Sequence, residues 1–332
     1  MRCLVTGGAG FIGSHLTEHL LGLGHEVMVL DDLSTGNEAN LSAVAGNPRM
    51  RFVRGSVCDV SAVENCMAGV DSVFHLAAAV GVFTILDRTL ESLRTNLTGT
   101  EVVLEAALRH DARMLVTSTS EIYGKNTKVG LTEDDDRVVG SPLKNRWSYA
   151  EAKALDETFA YLYGVERGLR MVIVRPFNTV GPRQTGRYGM VVPRFVDQAL
   201  AGEPLTVFGT GDQTRCFCHV ADVVPALVAL LADEGAHGTV YNLGNAEQVS
   251  ILELATRVIA TTGSTSEIVK VPYERAYGAG YEDMQRRVPN CDKAKARIGF
   301  QPSRNLDNIL DAVIADRRAR RTARPTAGVA GQ

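Results

Sequence analysis

The chain has 332 residues, 45% hydrophobic and 22% charged, with a formal net charge of -3. That is ample apolar material for one large or two smaller soluble domains, and so mild an acidity leaves no basis for expecting nucleic acid or a membrane surface as partner. Apolar stretches such as Val224–Leu231 fall far short of the roughly 20 residues that span a bilayer, and the opening run Cys3-Leu4-Val5 carries no leader pattern, so a cytoplasmic protein is expected.

In chain order, the runs Arg2–Thr6, Glu26–Leu30, Arg51–Arg54, Ser72–Leu76, Met114–Ser118 and Met171–Arg175 read as strands. They are apolar at consecutive positions, as parallel strands buried on both faces are. Helical stretches near Ile12–Leu23, Leu90–Arg109 and Ser148–Arg167 lie between them. The alternation predicts a Rossmann-type, doubly wound parallel α/β sheet over residues 1–178. Beyond it Pro182, Gly186, Gly189, Pro193, Pro204 and Gly209 loosen the pattern. Helices near Val192–Ala201 and Val220–Leu231, with short strands between, predict a smaller C-terminal α/β substrate-binding lid over 179–315. The segment at about 210–245 is expected to return to the first domain. Residues 316–332, Arg- and Ala-rich from Arg317 and then rich in Pro and Gly, are expected to form a disordered tail. The six cysteines show neither C-x-x-C nor metal-finger spacing and read as reduced thiols.

Gly7-Gly8-Ala9-Gly10-Phe11-Ile12-Gly13 follows the first strand and opens the first helix. Gly7 permits the tight turn, Gly10 the close approach of backbone to a pyrophosphate, and Gly13 close helix–strand packing, while the amides at Phe11 and Ile12 offer the positive end of the helix dipole. The spacing is G-x-x-G-x-x-G, one residue longer than the dinucleotide fingerprint. Asp31 and Asp32 end the second strand, about 20 residues on, where a carboxylate takes the adenosine ribose hydroxyls. Two carboxylates there repel a 2′-phosphate, which favours NAD over NADP. Asp59, beside Val60, is expected to meet the adenine; Ser34, Thr35, Gly36, Leu76, Ala77 and Ala78 complete the expected cofactor wall. His15 and His19 stand four apart on the first helix, but without the H-E-x-x-H order, and no metal is expected.

Tyr149 lies four residues before Lys153, on one helical face, so the ammonium is expected to stabilise a phenolate that accepts the proton of an alcohol being oxidised. Glu121, in Ser118-Thr119-Ser120-Glu121, adds a second acid/base group. Together the glycine loop, Ser118-Thr119-Ser120, Tyr149-x-x-x-Lys153 and Arg175-Pro176-Phe177-Asn178 resemble the extended short-chain dehydrogenase/reductase family of nucleotide-sugar enzymes, over residues 1 to about 315. Pro204–Gly209 and Gln213-Thr214-Arg215 are similar to that family's UDP-binding segment. The resemblance implies that Asn178 and Arg215 hold a diphosphate, as suits a guanidinium fork, with Arg183, Val192, Thr206 and Phe208 completing the substrate wall.

The resemblance also narrows the chemistry. The family's 4,6-dehydratases carry Asp where Ser120 stands, and its plain 4-epimerases carry small residues where Glu121 stands. Thr119-Ser120-Glu121 resembles the UDP-glucuronic acid decarboxylases, as do Lys144–Tyr149 and the late segment from Tyr277 to Pro289, which implies that Arg287 meets the substrate carboxylate or the enolate. Gly181–Thr185 and Met190–Pro193 also occur in 4-epimerases, which keeps that activity as the alternative; a non-catalytic NAD-binding sensor is a third reading, against which both Tyr149 and Lys153 stand. The expected course is oxidation at C4 by NAD, with Tyr149 as base and Thr119 orienting the oxygen. Loss of CO2 from the β-keto acid follows, with the C4 ketone as electron sink; Ser120 and Glu121 lie near C5. A homodimer through the helices at about Leu90–Arg109 and Ser148–Arg167 is expected by analogy.

Overall fold

Strands β1 (Arg2–Thr6), β2 (Glu26–Asp31), β3 (Met50–Arg54), β4 (Ser72–His75), β5 (Arg113–Thr117), β6 (Met171–Pro176) and β11 (Thr239–Leu243) form one seven-stranded sheet in the order β11-β6-β5-β4-β1-β2-β3. Every pairing in it is parallel. The computed structural model describes residues 1–80, 89–186, 189–277 and 282–322. Six of the strands fall within one residue of their expected ends; β11 was not anticipated as a strand. The strand order reverses at β1 and β4, which opens the crevice where ligands bind in such sheets.

Helices α1 (Phe11–Gly22) and α6 (Val220–Ala232) cover one face. Helices α2 (Val60–Met67), α3 (Thr89–Arg109) and α4 (Ser148–Arg167) cover the other. The strands contribute consecutive buried residues, Cys3-Leu4-Val5 among them, because both faces are sealed. A third core forms the smaller unit, where α5 (Val191–Ala201), α7 (Ile251–Thr262) and α10 (Leu306–Thr322) enclose Phe195, Leu254, Ile309 and Leu310. Strand β8 (Leu205–Phe208) pairs with β13 (Ile268–Val271), β7 (Thr179–Val180) with β10 (Cys218–His219), and β9 (Thr214–Cys216) with β12 (Gln248–Ser250). The short helices α8 (Tyr273–Tyr277) and α9 (Asp292–Ile298) lie in the late connections.

The expected tail requires correction: residues 316–322 continue α10, because Arg317, Arg320 and Arg321 all find acceptors on neighbouring elements. Residues 323–332 lie outside the described residues. No helix among the described residues is long and apolar enough to cross a membrane.

Candidate active site

A cleft of about 1040 Å³ runs along the carboxyl ends of the sheet strands. The glycine loop forms its floor. Gly7 adopts φ +70°, and a Cβ there would sit 2.8 Å from the Ala77 nitrogen; one on Gly13 would sit 2.2 Å from the Gly7 carbonyl oxygen. Only hydrogen fits either position. Gly10 is the N-cap of α1 and offers no side-chain cap, so the first amides of the helix, at Phe11 and Ile12, are left for an anion. Ser118 Oγ, buried in the cleft wall, has no hydrogen-bond partner among the described residues. An uncapped helix start, a loop that excludes side chains and an orphan hydroxyl fit a dinucleotide.

Asp31 and Asp32 separate in role. Asp31 is buried and accepts from the amides of Ala9 and Leu33 at 2.9 and 2.8 Å, which ties the glycine loop to the end of β2. Burial pushes its pKa up, against those two amides. Asp32 is exposed and lies beyond the strand, with Oδ1 accepting from the Ser34 amide. Both line the cleft with Ser34, Thr35, Gly36, Leu76, Ala77 and Ala78. Asp59 and Val60 do not: Asp59 Oδ1 caps α2 through the amides of Ser61 and Ala62, and Val60 is exposed, while Gly55 and Val57 take that stretch of wall.

The chemical end is built on a short 3-10 turn, Ser120–Tyr123, capped by Thr119, whose Oγ1 accepts from the Glu121 amide at 3.1 Å. Arg175 holds the turn from below. Its guanidinium makes two bonds to Glu157, at 2.9 and 2.7 Å, and one to the Tyr123 hydroxyl at 2.8 Å. Tyr149 and Lys153 project from α4 and line the cleft beside Thr119, Ser120 and Glu121. Lys153 also has a partner of its own that the spacing does not announce. Its ammonium pairs at 3.1 Å with Asp156, a fully buried carboxylate on the same helix. Burial, then the negative charges of Glu121 and Asp156, push the Tyr149 phenol well above its ordinary range, against a Thr119 hydrogen bond that pulls it down. In the chain alone Tyr149 is therefore a neutral phenol.

Glu121 lies between two guanidiniums. Arg146 Nη1 donates to its Oε2 at 2.8 Å, and Arg287 Nη1 stands 3.8 Å from its Oε1. Burial works to raise the carboxyl, but Arg146 and then Arg287 hold it below the usual range. Burial lowers Arg287 to about 10, against the pull of Glu121.

A recess of about 160 Å³ adjoins the cleft and is lined by Asn178, Val192, Phe208 and Arg215, together with Arg146, Tyr273 and Asp283. Asn178, at φ +37°, donates to the Cys216 carbonyl and accepts from Arg287. Arg215 is covered by Asp283, at 3.1 and 3.0 Å, and Asp283 also accepts from the Tyr273 hydroxyl at 2.9 Å. Arg183 reaches from the cleft wall to Glu18 on α1 at 2.6 Å. Thr206 lines neither cavity; its hydroxyl is taken by Arg194 and Gln198. Residues 278–281 of the late segment lie outside the described residues, whereas Glu282 accepts from Lys125, Lys144 and Trp147. Sequence reasoning missed Arg146, Asp156, Tyr273 and Asp283. Arg146, inside the segment before Tyr149, and Asp283, inside the late segment from Tyr277 to Pro289, carried a local signal; Asp156 and Tyr273 did not. Among the described residues no cluster of His, Cys, Asp and Glu is placed to hold a metal; His15 meets the Pro182 carbonyl instead.

Residues 3–244 match the model of the NAD dependent epimerase/dehydratase family. The chain is 42% identical to a UDP-N-acetyl-alpha-D-glucosaminuronate decarboxylase of Bacillus cytotoxicus, over 94% of this chain and 96% of that one. It is 37% identical to UDP-glucuronic acid decarboxylase 1 of Xenopus tropicalis, over 94% of this chain and 71% of the relative. Among solved structures, the UDP-glucuronic acid 4-epimerase of Bacillus cereus, in complex with UDP-glucuronic acid and NAD, superposes with a TM-score of 0.87 at 28% identity, covering 96% of this chain and 99% of that one. The glycine loop, the reversing strand order and the Thr119–Tyr149–Lys153 constellation thus stand on a shared fold, and the chain belongs to the NAD dependent epimerase/dehydratase family.

Proposed function

We propose that the chain is an NAD-dependent decarboxylase of a UDP-linked uronic acid, with UDP-glucuronate as substrate and UDP-xylose or its 4-keto form as product. The observation that carries the reading is the pairing of Glu121 with Arg146 and Arg287 beside Tyr149, an acid/base and carboxylate-binding group that a simple epimerase does not need. The names of the relatives at 37–42% identity support it.

Tyr149 takes the proton of the sugar 4-hydroxyl, with Thr119 orienting the oxygen. NAD, which the glycine loop and the Asp31 end of β2 would hold, would supply the acceptor for the C4 hydride and, for UDP-xylose rather than its 4-keto form, would return that hydride to C4 after CO2 has left. The C4 ketone lies β to the carboxylate, so the C5–C6 bond breaks with its electron pair delocalised onto the ketone, and CO2 leaves. Arg287 steadies the carboxylate and then the enolate. Glu121, held ionised by its two guanidiniums, governs return of a proton to C5. Arg215 and Asn178 hold the diphosphate, for which Arg215 exchanges Asp283 for phosphate oxygens. The reaction belongs in the cytoplasm, where free thiols persist; all six cysteines are free. Two copies pair through α3 and α4, whose outer faces expose Leu90, Leu155, Tyr161 and Val165.

The Bacillus cytotoxicus relative favours a second substrate, the uronate with an N-acetyl group at C2. Comparing kcat/KM for UDP-glucuronate, UDP-N-acetylglucosaminuronate and UDP-glucose tests the proposal. Turnover of a uronate with CO2 release supports it and the better uronate names the substrate. Turnover of UDP-glucose alone overturns it.

A further inference from the structure

Arg146 stands three residues before Tyr149, on the 3-10 turn Asn145–Trp147 that leads into α4, and is buried. It takes Glu121 at 2.8 Å, while Arg287 remains 3.8 Å from the same carboxylate. Arg287 donates instead to two neutral oxygens, Ser120 Oγ at 3.2 Å and Asn178 Oδ1 at 2.9 Å. Its buried Nε has no hydrogen-bond partner among the described residues. Asp283, the nearby second carboxylate, is committed to Arg215 and Tyr273. Arg287 is thus a buried cation on the cleft wall whose nearest carboxylate, 3.8 Å away, is hydrogen-bonded to Arg146 and not to it.

Charge within this trio decides what can be bound. Two guanidiniums and one carboxylate leave one positive charge, and an incoming carboxylate completes a two-to-two set. Without Arg146, Glu121 and Arg287 would form a neutral pair. A uronate brought beside it would then meet the charge of Glu121 with no free cation, in a site where water screens little. A neutral hydroxymethyl group at C5 would suffer no such repulsion.

We infer that Arg146 is a specificity-determining positioning residue: by binding Glu121 it leaves Arg287 to receive the C5 carboxylate of a nucleotide-linked uronate. The inference rests on the decarboxylase reading above and adds a role that acts through Glu121.

Binding tests it without turnover. In a Tyr149→Phe background with NAD bound, calorimetry compares UDP-glucuronate with UDP-glucose for the parent, for added Arg146→Met, and for Arg146→Met with Glu121→Gln. The parent prefers the uronate. Arg146→Met weakens uronate binding about tenfold or more and leaves UDP-glucose nearly unchanged. Adding Glu121→Gln restores the net positive charge and recovers the preference. That recovery separates charge from damage to the fold, which matters because Arg146 also stacks 5.2 Å from the centre of the Trp147 ring. Retained preference in the Arg146→Met variant overturns the inference, as does a loss that Glu121→Gln does not recover. A parent with no preference for the uronate overturns the substrate reading itself, and the inference with it.

Discussion

Tyr149 is the residue on which the chemistry turns, and its surroundings oppose its task in the chain alone. The negative charges of Glu121 and Asp156 add to burial in keeping the phenol protonated. Replacing it by Phe is expected to lower NAD reduction by about 10³-fold while leaving NAD affinity within twofold, measured by absorbance and by titration. Asp156 gives the pH dependence a sign. Tyr149 acts as a base only when ionised, so the rate rises with pH through its pKa. Asp156→Asn removes a charge that raises that pKa, and the acid limb of kcat is expected to move to lower pH; a limb that stays or moves upward contradicts the assignment. The Tyr-x-x-x-Lys spacing was legible in the sequence because helical periodicity puts both side chains on one face. The counter-ion was not. Asp156 is an unremarkable residue in the string, and its effect comes from complete burial, which depends on how α4 packs against α3.

At the scale of elements, α10 changes most between sequence and structure. Its composition suggested a frayed end, because arginines near a terminus are usually solvated. Here Arg320 donates to Asn40 Oδ1, and Asn40 in turn donates to the Ala9 carbonyl of the glycine loop. Arg317 holds the Gln184 carbonyl, and Asp316 accepts from the Arg183 amide. The helix that closes the lid core therefore also braces the loop expected to carry the pyrophosphate. Arg320→Ala is expected to weaken NAD binding roughly two- to fivefold, the scale of one hydrogen bond, with little change in uronate affinity for the NAD-loaded protein. Equal NAD affinity in the two proteins, read by calorimetry, would confine α10 to a role in the lid. Asp59 shows a related limit. A carboxylate after β3 suggested an adenine contact, and the structure adds a role the sequence did not announce, since Asp59 also N-caps α2, a helix that had not been foreseen.

At the scale of the whole molecule, the sheet was legible because parallel strands buried on both faces leave unbroken apolar runs. The lid was legible only in outline, as a helix near Val192–Ala201 among short strands; its pairings were not, since the strands are short and pair across long stretches of chain, Leu205 with Ile268 and Arg215 with Val249. The outer faces of α3 and α4 carry an apolar surface that pairing of two copies would bury, with Val165 and Leu90 each 64% exposed. Light scattering is expected to give twice the chain mass, falling to the chain mass in a Leu162→Glu, Val165→Glu variant; a monomeric parent would leave that surface without the assigned partner. All of these features serve one claim, that oxidation at C4 is followed by loss of the C5 carboxylate. The direct measurement supplies UDP-glucuronate isotopically labelled at C6, with NAD, and follows the label by mass spectrometry and NMR. The account predicts labelled CO2 and an unlabelled UDP-pentose or its 4-keto form. Label retained in UDP-galacturonate, with no CO2, would contradict it.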